Sequence, residues 1–538
     1  MNSTTRHILD LSRRGLLRGA TASAALAFLL PAPARHAIAQ PVFRAYPFRM
    51  GVASGDPWPD GVVLWTRLCP EPLAGGGMPH IAVEVQWEVA ADEAMRQVVQ
   101  KGTSLARPEL GHSVHVELTG LEPGRHYWYR FRAGREASPI GRTRTAPAAD
   151  AAPTALRFAS AGCQLWETGH FTAWRHIAAE NIDLVCHYGD YIYESRGHGG
   201  APRAVPHVRE HHGEELYSLD DYRTRYAQYR GDPDLQAAHH AHPFAMSFDD
   251  HEVDNNWAGA VSEEDGSARR PIHVPPEIFA LRKQIAFQAW WEAMPLRRAQ
   301  RPSGPEITAW RALRWGRLAE IAILDTRSHR DDQPCGDITG PPCAEVANPN
   351  AQVLGAAQEA WLLDRASRTD ATWKVLAQQV PMMRRNWSAA GGGNALSVSM
   401  DKWDAYPAAR DRLLRGLHDR RVANVAVLSG DVHNAWAATL HVDPADPASP
   451  AVASEFTATS ISSDGDGSEH LPNTARVLAR NPHIAFFNNR RGYTLHEITG
   501  RRMTATFRGL DYVSRPGAPV VDKGAYIIET NDPTVKKS

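Results

Sequence analysis

The chain has 538 residues, 43% of them hydrophobic and 22% charged, so it can bury more than one core and is too apolar to be disordered. Its 59 Lys and Arg residues offset 60 Asp and Glu residues, for a formal net charge of −1. No global field therefore draws it to nucleic acid or to an anionic membrane.

The first residues read as a leader. Ser12-Arg13-Arg14-Gly15-Leu16-Leu17-Arg18 carries a twin-arginine pattern, an apolar stretch follows from Ala20 to Leu30, and Ala37-Ile38-Ala39 is a small-x-small cleavage site. In that order the three parts predict a Tat-type secretory signal over 1–39 that is removed on export. Tat substrates cross the membrane already folded, which suits a protein that takes up its metals before export. No other apolar run is long enough to span a bilayer.

Residues 40–147 read as β. Gly61 to Arg67, Ile81 to Val89, Ser113 to Leu118 and Tyr127 to Arg132 are short strand-like runs, the last two joined by the turn Thr119 to Gly124. This spacing predicts an all-β sandwich of the immunoglobulin or fibronectin III kind. Leu121-x-Pro123-Gly124-x-x-Tyr127-x-Tyr129 resembles the tyrosine-corner turn of such domains. Pro147 to Pro153 reads as a linker.

From there the pattern alternates. Strands are predicted from Leu156 into the Gly162 turn and over 182–187, 318–324, 373–378 and 422–428; helices are predicted over 171–180, 279–294, 358–367 and 407–419. The alternation predicts an α/β catalytic domain over 148–538, a layered sheet with helices outside. It has no internal repeat and no Walker-type or dinucleotide-binding glycine loop in the right context.

Four stretches place metal-type side chains next to strand-like runs: Cys163-Gln164, Gly189-Asp190-Tyr191-Ile192-Tyr193-Glu194, Asp249-Asp250-His251-Glu252 and Ser429-Gly430-Asp431-Val432-His433-Asn434. An apolar run ending in Gly-Asp reads as a buried parallel strand followed by a tight turn. Open α/β sheets bind ligands beyond the carboxyl ends of their strands. Taken singly, a Gly-Asp is often only a turn and an acidic run only a solvated face; jointly they argue for one polynuclear site. Asp190 can bridge two ions, and Tyr193, three residues on, is close enough in a turn to bind one of them. Phenolate favours a hard trivalent ion such as Fe³⁺, to which Cys163 would add a thiolate. Asp250, Asp431 and His433 are the other candidates, and oxygen-rich positions favour Ca²⁺, Mg²⁺ or Mn²⁺. Such a cluster can bind phosphate and activate water.

Other residues carry less weight. Cys335 and Cys343 close a short loop and could pair outside the cytoplasm, and Cys186 reads as a buried small hydrophobe. His211-His212 and His239-His240 have no strand end nearby and read as surface residues. Trp257, Trp403 and Trp436 fit either a cleft wall or core packing.

The order Gly-Asp-x-x-Tyr, Asp-His-Glu, Gly-Asp-x-His is similar to the calcineurin-like metallophosphoesterases, purple acid phosphatases in particular. Gly51 to Pro57, Leu64 to Arg67, Gly189 to Glu194, Asp249 to Trp257, Met294 to Arg297, Leu324 to Arg327 and Ser429 to Trp436 resemble the PhoD-like alkaline phosphatases more specifically. The resemblance covers essentially the whole chain beyond the leader. It implies a four-layer α/β/β/α catalytic fold with Fe³⁺ and Ca²⁺ in the site. Cys163 and Tyr193 would bind iron, Asp190 would bridge, and Asp250, Asp431 and His433 would complete the shells. Asp250 stands where classical metallophosphoesterases carry Asn. His251 matches the histidine that contacts phosphate and protonates the leaving group, and Arg196 is placed as a phosphate contact. The implied function is phosphate ester hydrolysis, foremost that of a broad-specificity alkaline phosphatase exported by the Tat machinery to the periplasm or the exterior. A phosphodiesterase or phospholipase D of the same family is the nearest alternative, and a non-catalytic exported phosphate- or metal-binding protein is a third.

Overall fold

The computed structural model describes residues 42–197, 205–263, 273–388 and 396–538, so the leader expected over 1–39 lies outside the described residues. Two β-sheets organise the chain. The first runs in spatial order through Ser113–Glu117, Gly61–Arg67, Val52–Trp58, Pro243–Met246, Leu184–His187, Ala155–Ala161 and Ile484–Thr499, then through the C-terminal strands Arg502–Leu510, Val520–Glu529 and Asp532–Lys537. The second runs through Arg311–Trp315, Ala319–Ile323, Trp373–Ala377, Val425–Ser429, Ala451–Thr457 and Ala435–His441. The 16-residue strand Ile484–Thr499 belongs to both, its first half pairing with Ala435–His441 and its second with Ala155–Ala161.

The central strands of both sheets are parallel. Parallel strands are buried on both faces and need cover on both sides; Ala319–Ile323 and Val425–Ser429 are buried throughout. Between the sheets, Phe158, Leu184, Ile321, Val375 and Leu428 form one apolar cluster. Outside the first sheet, helices Thr172–Ala179, Leu219–Arg230, Pro233–Ala241 and Pro276–Ala293 contribute Trp174, Tyr226, Leu235 and Trp290 to a second. Outside the other sheet, Gly355–Arg368 and Pro407–Asp419 contribute Leu362, Leu413 and Leu417 to a third. The expected mixed α/β organisation with outer helices is present.

The N-terminal segment contributes to two sheets. A separate sheet of Val98–Ala106, Val83–Ala90, His126–Ala133, Glu136–Ala137 and Gly141–Arg144 supplies Val85, Tyr129 and Phe131 to an apolar core shared with Val62, Leu64 and Val116. The strands facing it are not set apart from the rest, because Ser54 and Gly55 pair in parallel with Pro243 and Phe244. The sheet is thus continuous across the boundary expected at 147/148. In the predicted tyrosine-corner turn, the Glu122 N–H donates to the Tyr127 hydroxyl at 3.0 Å.

Cys335 and Cys343 are joined by a disulfide, and Cys186 is buried in the inter-sheet cluster. Trp257, Trp403 and Trp436 are core residues. His211 and His239, expected on the surface, are buried. Each finds a phenol inside the helical layer: Tyr229 at 2.8 Å for His211 and Tyr191 at 3.0 Å for His239. Among the described residues, no helix is long and apolar enough to cross a membrane.

Candidate metal centre

The carboxyl ends of the parallel strands of both sheets converge on one cleft. Cys163 follows strand Ala155–Ala161, Asp190 follows Leu184–His187, and Asp249 and Asp250 follow Pro243–Met246. From the second sheet, Arg327 follows Ala319–Ile323, and Asp431 and His433 follow Val425–Ser429. Cys163, Asp190, Asp431 and His433 all have left-handed backbone conformations, with φ of +51°, +54°, +67° and +57°. Such a conformation costs a non-glycine residue roughly 1–2 kcal/mol, and strain of this kind collects where the surroundings hold a functional side chain in place.

Those surroundings are specific. The N–H groups of Cys163 and Gln164 donate to the carbonyls of Gly189 and Asp190, both at 3.1 Å, locking two strand-end turns together. The buried carboxylate of Glu252 accepts from the N–H groups of Asp190 (3.1 Å), Tyr191 (2.5 Å) and Asp249 (2.8 Å), tying the second turn to the third. The Tyr188 ring lies against both Gly162 and Gly430, where a Cβ would strike it, and its hydroxyl donates to the Thr459 carbonyl at 2.7 Å. These two glycines precede Cys163 and Asp431, so one aromatic ring sets the distance between ligand turns of different sheets.

The candidate ligands fall into overlapping sets. Cys163, Asp190 and His433 bring ligand atoms within 4.8 Å of one another, as do Asp190 with Asp250 and His251, and Asp249 with Asp250 and Asp431. The Tyr193 hydroxyl lies 3.0 Å from Asp190 Oδ2 and 3.2 Å from His433 Nε2, inside the first set. Of the sequence-predicted residues, Asp190, Asp250, His251, Asp431 and His433 line an open cleft of about 410 Å³. Cys163 and Tyr193 are buried behind it and are not part of that lining. Arg196 is not brought to the cleft: it is exposed and lies outside the lining.

The donor set fits cations. Asp190 Oδ1, Asp249 Oδ2 and Asp250 Oδ1 are buried and accept no hydrogen bond among the described residues, and orphaned buried carboxylate oxygens are costly unless a cation meets them. Burial and then the Asp250 charge push Asp190 well above the usual carboxylate range. Burial and then Asp190 push the Cys163 thiol and the Tyr193 phenol up as well. Burial thus favours the protonated form of each of these groups, and a cation bound there would displace those protons. Asp250 goes the other way, because Arg327 and His251 outweigh its burial.

Several polar residues were not assigned a role from sequence. Fully buried Arg327 pairs with Asp249 at 2.6 Å, Asp401 at 2.7 Å and Asp431 at 3.3 Å. Lys402 bridges Asp401 at 2.6 Å and Asp431 at 2.5 Å. Glu194 Oε2 holds His251 Nδ1 at 2.7 Å, and Tyr193 packs against the His251 ring with centroids 4.0 Å apart. Burial favours the neutral imidazole, but the charges of Glu194, Asp250 and Asp190 hold His251 well above the ordinary histidine value. Asp464 holds His433 Nδ1 at 2.8 Å, which leaves Nε2 toward the ligand set. Arg327 and Glu194 were legible as strand-end and motif positions; Lys402 and Asp464 sit in loops without any such signal.

Residues 158–507 match the PhoD-like phosphatase family and residues 33–147 match the N-terminal domain of PhoD-like phosphatases. The chain is 45% identical to alkaline phosphatase D of Bacillus subtilis (strain 168) over 499 residues, 93% of this chain and 84% of that protein. The solved structure of PhoD matches with a TM-score of 0.88 at 45% identity, over 92% of this chain and 93% of that one.

Proposed function

The chain belongs to the PhoD-like phosphatase family and is a phosphoric ester hydrolase; from that premise and the geometry of the cleft we propose an exported two-metal phosphomonoesterase of broad specificity. The observation that carries the reading is the set of buried oxygens on Asp190, Asp249 and Asp250 that no group among the described residues satisfies. Cys163, Tyr193, His433 and Asp190 would hold one ion, and Asp190, Asp250 and Asp431 would hold a second. Thiolate and phenolate suit Fe³⁺ and the carboxylates suit Ca²⁺, the pair that the family resemblance implies. When bound, such ions polarise phosphate oxygens and lower the pKa of a water.

The chain's own residues supply the rest. With Nδ1 committed to Glu194, His251 has Nε2 left for the substrate. The Glu194 carboxylate raises its proton affinity, so the protonated imidazole is favoured and can give its proton to the departing alkoxide. Asn434 accepts from the Trp436 indole through Oδ1, leaving its NH₂ to donate to a phosphate oxygen in the cleft. Arg327 and Lys402 offset part of the carboxylate charge and keep Asp431 oriented.

Two further readings accompany this one. A four-layer α/β/β/α catalytic region behind an immunoglobulin-like β region is supported by the apolar cluster between the sheets and the two beneath the helices. Export by the Tat machinery to the periplasm or the exterior is supported by the twin-arginine leader. The function is tested by parallel assays on nitrophenyl phosphate and bis(nitrophenyl) phosphate. Faster turnover of the monoester is expected. Preferential turnover of the diester would replace this reading with the phosphodiesterase or phospholipase D one, and turnover of neither would end it.

A further inference from the structure

Four basic side chains line the cleft, and three already have carboxylate partners: His251 has Glu194, His433 has Asp464, and Lys402 has Asp401 and Asp431. The fourth, Arg385, has none. It is 2% exposed, its Nε is buried without an acceptor, and among the described residues its guanidinium makes no hydrogen bond and no ion pair. Its two aromatic neighbours, Trp387 and Trp436, lie 5.5 and 5.8 Å from it by ring centroid and hold the guanidinium without neutralising it. The nearby carboxylate of Asp404 is committed elsewhere, to Arg410 at 2.6 Å and to the Arg385 backbone N–H at 2.9 Å.

A buried guanidinium without an anion is costly, and chains keep one where a ligand supplies the anion. A planar guanidinium matches two oxygens of a tetrahedral oxyanion through paired N–H donors. We propose that Arg385 grips the non-bridging oxygens of the substrate's phosphoryl group, and of product phosphate, in this cleft. The inference rests on the phosphatase reading above. It also moves the phosphate-binding guanidinium from Arg196, which is exposed, to a buried residue in the run Met382-Met383-Arg384-Arg385 that no sequence pattern singled out.

The test uses the metal-loaded protein and three measurements: KM and kcat for nitrophenyl phosphate, the inhibition constant of inorganic phosphate, and metal content. In Arg385→Met, both KM and the phosphate inhibition constant should rise roughly 10- to 100-fold, each tenfold corresponding to about 1.4 kcal/mol, with metal content unchanged. Arg385→Lys keeps the charge but not the paired donors and should recover only part of the loss; it also serves if the Met variant fails to fold. An unchanged phosphate inhibition constant in either folded variant overturns the assignment, and so does a loss seen in Arg196→Ala but not at Arg385. If the wild-type protein neither turns over the ester nor binds phosphate, the phosphatase reading fails together with the assignment. If it does both and the Arg385 variants match it, only the assignment fails.

Discussion

Replacing Glu194 by Gln removes the charge that holds His251 protonated while keeping nearly the same shape. The Glu194 carboxylate receives His251 Nδ1 at 2.7 Å through Oε2 and the Asn255 N–H at 2.8 Å through Oε1. Gln can still accept from Asn255, but its NH₂ then faces Nδ1, which favours the neutral ring with its proton on Nε2. A hydrogen bond to a charged group contributes about 1.5–3 kcal/mol, and 1.36 kcal/mol is one pKa unit, so His251 should fall by about one to two units. The assay is kcat/KM against pH for an alkyl phosphate, whose poor leaving group needs the proton. The alkaline limb should move down by that amount while the neutral plateau changes little. The stability effect has a defined sign, since the folded-state value is raised above the unfolded one. The contribution of the pair is complete between the unfolded carboxylate and imidazole values, about pH 4.3 to 6.5. It is lost as pH rises through the raised His251 value or falls through the lowered Glu194 value, so the variant loses most stability in that window. An alkaline limb that does not move, with metals still bound, would refute the idea that the Glu194–His251 pair sets the acid.

Glu252→Gln should cost about 1–3 kcal/mol of unfolding free energy in denaturant titrations, because one of three backbone N–H groups loses its acceptor inside the protein. Tyr188→Phe should cost about 1 kcal/mol through the lost bond to Thr459. Tyr188→Ala should cost about 3–5 kcal/mol through the cavity and should weaken metal binding in a metal titration by loosening the spacing of Cys163 and Asp431; equal metal affinity in both Tyr188 variants would contradict the spacer role. Changing Arg13 and Arg14 together to Lys should leave the precursor inside the cell, as read by fractionation and blotting.

The sequence was most informative where strand ends meet ligands. Apolar runs ending in Gly-Asp before Asp190 and Asp431 read as doubly buried strands, and their carboxyl ends are where an α/β sheet presents side chains, so the ligand turns were legible in the sequence. Helix Leu219–Arg230 was not. Its buried residues are Tyr222, Arg225, Tyr226, Ala227, Gln228, Tyr229 and Arg230, which give no aliphatic period, although its Ser218–Asp221 capping box was present in the sequence. Strand Val52–Trp58 contains Gly55, Asp56 and Pro57, and its pairing with Pro243–Met246 depends on residues nearly 190 positions away. His211 and His239 are buried for a related reason: their partners, Tyr229 and Tyr191, lie on other elements, which no local pattern reports. Arg196 and Arg385 show the same limit. Proximity in sequence to Tyr193 suggested the first, whereas burial without an anion, a property only of the folded chain, points to the second.

The central claim is that Cys163, Tyr193, Asp190, Asp250, Asp431 and His433 form a metal centre that carries the hydrolysis. The most direct test is elemental analysis of the purified wild type and Cys163→Ser, with visible spectra and activity measured on the same samples. Iron and calcium should both be present in the active wild type, with a visible charge-transfer band, and Cys163→Ser should shift or abolish the band and lose activity in parallel with iron. A colourless, iron-free wild type that still hydrolyses phosphate esters would remove Cys163 and Tyr193 from the centre, and full activity without any bound metal would contradict the account as a whole.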